Sequence, residues 1–442
     1  MTQLDYQGKR PGYYPSTWAV ECGGSRRQKL VGSPGLDLQA GETLGSTSRD
    51  TGGWPVMFVQ REPGELFLQG GAAQGSEGTP PFYRPDRGTH ADNAGWLERV
   101  DPITLETLAR SPNLPTGGHV WCGAVVVHQN GDLYTANGRF CHRLNASCEV
   151  IAERELPFDG PYNGLLIMTD GNLVMKNLGH RLDEPCVFSV LEPERLEPIG
   201  DPFVIDTPCM GRFSSDLCNE GEFIYTSTAT NLLRLEYEAG HLSLDSSWNA
   251  SYVIAGEDQS DAWDTSIGSD SIWLMDMGRP MPWRGPAAAP QRAFRFSLAD
   301  ASERDVIDEI GLPNAWNPGP PLYDPERKIL ILYDTLNGGV VAMQYHGPGN
   351  LSLLWRKEFR NTVQMMLYAD TGELVLEDSP HPFPMPEQRE GHVVVVDIET
   401  GLERGRAPIG ASAAMGMFLC PGFGRDFYVA SGWGTVARIF VA

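Results

Sequence analysis

The chain has 442 residues, with 34 Lys and Arg against 57 Asp and Glu, and its formal net charge of −23 would repel nucleic-acid phosphate. Hydrophobic residues make up 41% and charged residues 21%, the balance of a chain that buries a core. No apolar run approaches the ~18 residues of a membrane helix, and Met1 to Tyr14 lacks the apolar stretch of a secretory leader, so the expectation is a cytoplasmic protein with neither a membrane nor a nucleic-acid partner.

The segment before Trp54 joins no repeat. Beyond it, one pattern recurs: a turn residue, a polar residue, then an apolar strand. The copies begin at Gly64, Gly131, Gly171, Gly221, Asp270, Arg327, Gly372 and Gly424. Eight copies at this spacing match the blades of a β-propeller with loops of variable length. A second apolar run precedes each copy, as in Gly123 to His128, Gly164 to Met168 and Gln364 to Tyr368. The two runs join through Gln129-Asn-Gly-Asp, Thr169-Asp-Gly-Asn or Asp370-Thr-Gly-Glu, turns that accept positive φ at low cost. They are strands A, innermost, and B.

Strands C and D follow around a turn opened by an acidic residue. Val100-Asp-Pro-Ile-Thr-Leu-Glu106, Leu191-Glu-Pro-Glu-Arg-Leu-Glu197 and Val396-Asp-Ile-Glu-Thr-Gly-Leu-Glu403 share this pattern. The prediction is an all-β single closed propeller over residues 1–442, with eight four-stranded blades and seven as the alternative count. A β-sandwich fits less well, because the A-B-C-D order keeps one sense throughout. The last unit has only three strands, Met415 to Leu419, Phe427 to Ala430 and Val436 to Val441. Its fourth is expected from residues 1–53, with Gln28 to Val31 or Trp18 to Cys22 as the candidates, latching the ring.

The up-and-down order puts strand-A starts and strand-B ends on one face. Connections from B to C alternate in length there. The long ones, in units one, three, five and seven, hold His90, His180 and His381 and are expected to roof a pocket. Asp264, Asp276, Asp334, Glu377 and Asp378 come to one side of that mouth, with His119, Asn163, Lys176, Asn177 and Arg212 opposite. Trp121, Trp263, Trp316 and Trp433 supply flat apolar walls. Asp264, Asp276 and Asp334 are candidate oxygen ligands for Ca²⁺ or Mg²⁺ or acid–base carboxylates, with His119 and Lys176 as further catalytic candidates. Asn163, Asn177, His180, Arg212, Glu377, Asp378 and the four tryptophans are the substrate-binding candidates. Each aspartate has a competing reading as a turn cap, and each tryptophan as filler between blades.

None of the eight cysteines forms a CxxC pair, and Cys186 and Cys209 read as small buried apolar residues. There is no GxSxG elbow, P-loop, HExxH or Rossmann fingerprint.

The repeat, with hairpins such as Val100 to Glu106, resembles the quinoprotein-like and gluconolactonase-like bacterial propeller superfamilies over Trp54 to Ala442. That resemblance implies the propeller fold. It also implies a quinone held with calcium, or a metal-dependent lactonase mouth of carboxylates and Asn; the adjacent Cys pair often found in the quinone enzymes is absent here. Three functions follow as expectations: a small-molecule hydrolase, lyase or isomerase, a ligand- or protein-binding scaffold, or a quinone-dependent oxidoreductase. Oligomeric state is left open.

Overall fold

The repeated turn and strand set the architecture. The computed structural model describes residues 10–32, 34–71, 93–119, 121–179, 183–218, 220–257, 259, 261–277, 289–312, 315–317, 319–380, 390–411 and 418–442. Eight antiparallel four-stranded blades follow one another in a propeller ring, and the alternative count of seven is excluded. The innermost A strands of blades 1 to 8 are Trp54–Gln60, Cys122–Val127, Tyr162–Ile167, Ser214–Cys218, Ala262–Ile267, Leu322–Asp324, Met366–Tyr368 and Leu419–Pro421. The B strands are Leu66–Gly71, Leu133–Asn137, Leu173–Asn177, Gly221–Ser227, Ser271–Asp276, Ile329–Asp334, Glu373–Asp378 and Asp426–Ala430. Each B strand overlaps one copy of the sequence repeat. Among the described residues the only helical element is the 3-10 turn Glu21–Gly23.

The C–D turns of blades 1, 3 and 7 share one local cause. In blade 1 the Asp101 carboxylate accepts the N–H groups of Ile103 and Thr104 at 2.9 and 2.8 Å, and Leu105 closes the turn at φ 63°. Blade 3 repeats this with Glu192 and Leu196 at φ 60°, and blade 7 with Asp397 and Gly401 at φ 66°. Leucine tolerates this left-handed conformation here because Leu105 and Leu196 are fully buried, so packing offsets the strain. Blade 2 has a shorter turn, in which Asn145 accepts the N–H groups of Ser147 and Glu149 and Cys148 takes φ 62°.

The ring closes through the N-terminal segment, by a different strand from either candidate. Leu44–Asp50 is the fourth strand of blade 8, antiparallel to Thr435–Val441. Its sequence, Leu-Gly-Ser-Thr-Ser-Arg-Asp, is polar because the outermost strand of a blade faces water, and it is largely exposed. Its Arg49 crosses to blade 1 and meets the buried Glu98 carboxylate at 2.7 Å.

The more apolar Trp18 to Val31 region lines the inside of the ring instead. The Ala19 carbonyl accepts Val127 N–H, the Trp18 carbonyl Gln60 N–H, the Ser25 carbonyl Ser215 N–H and the Arg26 carbonyl Ile267 N–H, at 2.8 to 2.9 Å. Leu30–Val31 then runs parallel to Leu367–Tyr368, as a fifth, innermost strand in blade 7. The Lys29 ammonium donates to the carbonyls of Pro320 and Pro321 at 2.7 and 2.8 Å. Residues 13–31 thus engage the inner strands of blades 1 to 5 and 7 and the approach to blade 6. Most of these contacts are at the ends of A strands, in the half of the channel remote from the mouth.

Candidate functional site

The mouth lies where A strands begin and B strands end, and the N-terminal segment forms its floor. The long B–C connections of odd blades, expected to roof a pocket, lie for the most part outside the described residues. His90, His180 and His381 fall outside the described residues.

A buried ion network occupies the floor. Arg27 pairs with Glu21 and lies 2.9 Å from Asp264, while Glu21 lies 2.9 Å from Arg212. The other Asp264 oxygen accepts the Arg212 backbone N–H at 2.6 Å. All four residues are at most 3% exposed. Gly211 makes this approach possible: a Cβ there would lie 0.9 Å from the Trp263 carbonyl oxygen. Burial pushes the neighbouring Cys22 thiol up to about 11, and burial lowers the Lys29 amine to about 7.

Above the floor, Arg212 stacks 4.7 Å from the Phe418 ring centre and 5.5 Å from that of Trp121. Trp121 donates to Asn163 at 3.1 Å, and Asn163 donates to the Met210 carbonyl at 3.1 Å. Trp54 packs against Trp121 at 5.2 Å. Trp121, Asn163, Arg212 and Asp264, supplied by blades 2 to 5, are therefore contiguous.

The predicted carboxylates do not merge into one cluster. Asp334 caps its B–C turn: one oxygen accepts N–H groups of Leu336, Asn337 and Trp316 at 3.0 to 3.3 Å, the other the Asn337 amide at 2.6 Å. Burial raises the Asp334 pKa, against those hydrogen bonds. Asp276 accepts Arg292 N–H at 3.2 Å, and Glu377 accepts the N–H and hydroxyl of Thr362. Asp378 sits at the edge, 3.4 Å from Arg406. His119 lies on the approach to blade 2, 3.9 Å from Asp159. Lys176 is buried and donates to the carbonyls of Asn177 and Cys209 at 2.7 and 2.6 Å. Asn177 fixes the start of strand C in blade 3 through Pro185 and Val187.

Ca²⁺ or Mg²⁺ shared by Asp264, Asp276 and Asp334 does not fit this arrangement. Asp264 already faces a guanidinium, and Asp334 is filled by N–H donors. Among the described residues no three His, Cys, Asp or Glu side chains gather to hold a metal ion.

Glu21, Arg27, Lys29 and Phe418 were not anticipated from the sequence. One signal was available. Closing the ring needs a single strand, so some forty further residues before Trp54 had to be placed somewhere.

No protein-family model and no curated protein matches the chain. Among solved structures, it is similar to the quinohemoprotein alcohol dehydrogenase ADHIIG of Pseudomonas putida HK5, with a TM-score of 0.63 and 10% identity over 98% of this chain and 81% of that one. Sqt1 of Saccharomyces cerevisiae gives 0.61 and 10% over 90% and 99%. A europium-containing methanol dehydrogenase gives 0.59 and 10% over 99% of both chains. At this identity the likeness establishes the propeller fold, and through ADHIIG and the methanol dehydrogenase the fold-level resemblance to quinoproteins.

Proposed function

We propose that the channel mouth binds a small, flat organic molecule. One observation carries this reading. Of the ten described tryptophans, six are buried and four, Trp121, Trp263, Trp316 and Trp433, are only partly so. All four lie at A-strand starts or a B–C turn, on the single face where the floor network ends. A partly exposed indole offers flat apolar area to a planar ligand. Quinones belong to this ligand class, and the two dehydrogenases named above share the fold.

A second reading, acid–base chemistry of hydrolase, lyase or isomerase type, rests on Asp334. Its carboxyl, raised by burial, adjoins Trp316. The test is a thermal-shift and fluorescence titration with pyrroloquinoline quinone, riboflavin, adenosine and indole, on wild type and on Trp121→Ala and Trp263→Ala. The expected result is saturable stabilisation by at least one probe, weakened about tenfold or more in a variant that keeps its melting temperature, as loss of a stacked aromatic implies. Saturable binding unchanged in both variants would overturn the assignment to this mouth.

A further inference from the structure

Arg360 lies on the connection from blade 6 to blade 7, on the same face as the four partly exposed tryptophans. Most arginines of this chain are matched with acids. Among the described residues only Arg195, Arg304, Arg356 and Arg360 have no carboxylate partner. The first three are exposed, and Arg360 alone is half-buried.

Both ends of Arg360 are held. Its carbonyl accepts Ser379 N–H at 3.0 Å, where strand B of blade 7 has just ended. The next residue, Asn361, is fully buried, donates to the Val363 carbonyl at 2.9 Å and accepts Glu377 N–H at 3.0 Å. At the other end, Arg360 Nε donates to the Thr335 carbonyl at 3.2 Å. A Cβ on Gly338 would lie 3.1 Å from Nη2, so a glycine lets the guanidinium rest against the B–C turn of blade 6. Apart from the bond to Thr335, its N–H groups meet no acceptor among the described residues. The carboxylates of this corner are engaged elsewhere: Asp334 by the donors of its own turn, Glu377 by Thr362 and Asp378 by Arg406. Thr335 also links the guanidinium to an indole, because its N–H donates to the Trp316 carbonyl at 2.7 Å. One buried residue thus carries a partly exposed aromatic ring on one side and an unmatched cation on the other.

We infer that Arg360 anchors the ligand of the mouth through a carboxylate, so that the ligand is a planar aromatic acid. The inference rests on the mouth being the site of a flat ligand, and it adds the ligand's charge and the residue that reads it. A guanidinium fixed at Nε presents its remaining edge as a planar fork, and two parallel N–H···O bonds match a carboxylate lying in the plane of an aromatic ring. The formal net charge of −23 repels anions at long range, so a local cation without a protein partner is what holding one requires.

The test is isothermal titration calorimetry of the full-length chain at neutral pH with acid–amide pairs: benzoate and benzamide, indole-3-carboxylate and indole-3-carboxamide, 2-naphthoate and 2-naphthamide. Members of a pair share ring and shape and differ in charge. The expected result is an acid bound about tenfold or more tightly than its amide in at least one pair, the worth of hydrogen bonds to a charged group. Arg360→Met should abolish that preference and leave the amide affinity unchanged. Arg360→Lys should keep only part of it, since the charge stays and the fork is lost. Equal affinities for acid and amide in wild type, or an acid preference that survives in Arg360→Met, would overturn the inference while the mouth remained a site for flat molecules. Weaker amide binding in Arg360→Met would also overturn it, by showing that Arg360 shapes the mouth and does not read charge. If no probe binds, the inference falls, and the mouth reading is decided by its own titration with Trp121→Ala and Trp263→Ala.

Discussion

Replacing Arg27 by Met strikes the centre of the channel floor. Arg27 reaches across from the N-terminal segment to Asp264 in blade 5 and also pairs with Glu21. Met fills similar volume but leaves Asp264, with no exposed surface, holding only the Arg212 N–H. Removing one partner of a buried pair costs about 3–5 kcal/mol, because the remaining charge is desolvated without compensation. Asp264→Asn leaves Arg27 paired with Glu21, so about 1–3 kcal/mol is expected, the range for a lost hydrogen bond to a charged group. The double variant removes the stranded charge, so its cost should fall short of the sum by about 2 kcal/mol or more. Urea unfolding followed by tryptophan fluorescence, with circular dichroism as a second probe, measures all four corners of the cycle. A coupling below about 0.5 kcal/mol would refute the claim that this pair pins the segment inside the ring.

Lys29 gives a pH signature. Its folded-state pKa is lowered to about 7 from 10.5, so between those values the unfolded chain binds more protons and stability rises with pH. The neutral amine still has two hydrogens for the carbonyls of Pro320 and Pro321. The gain should approach about 1 kcal/mol per pH unit between pH 7.5 and 9, and Lys29→Met should flatten it; identical slopes in both proteins would contradict the assignment. Deleting residues 1–50 removes both the latch strand and the floor, and should lower the melting temperature sharply or prevent folding; a truncated protein melting with wild type would show that neither holds the ring.

Much of the fold was legible because blades repeat. The B-strand pattern survives in all eight copies, and the acidic C–D turn needs a carboxylate or amide at one position whatever the neighbouring residues. The latch escaped because an outermost strand is selected for polarity, and Leu44 to Asp50 carries no apolar run to search for. The floor escaped for a different reason. Residues 13–31 bond to strands from several blades one or two residues at a time, so no period marks them, and charges such as Glu21 and Arg27 look like solvated ones until their partners are placed. At the mouth, topology sufficed to put the four tryptophans on one face. It could not show that Asp264 is matched by Arg27 or that Asp334 fills a turn, since those contacts depend on side-chain reach.

Residues 13–31 are a built part of the channel. Amide hydrogen exchange measures this directly. The N–H groups of Tyr14, Arg27 and Lys29, bonded to Val127, Gly24 and Cys22 at 2.9 to 3.0 Å, should exchange as slowly as those of the inner strands they lie against. Exchange of this segment within seconds, while the A strands stay protected, would contradict the account.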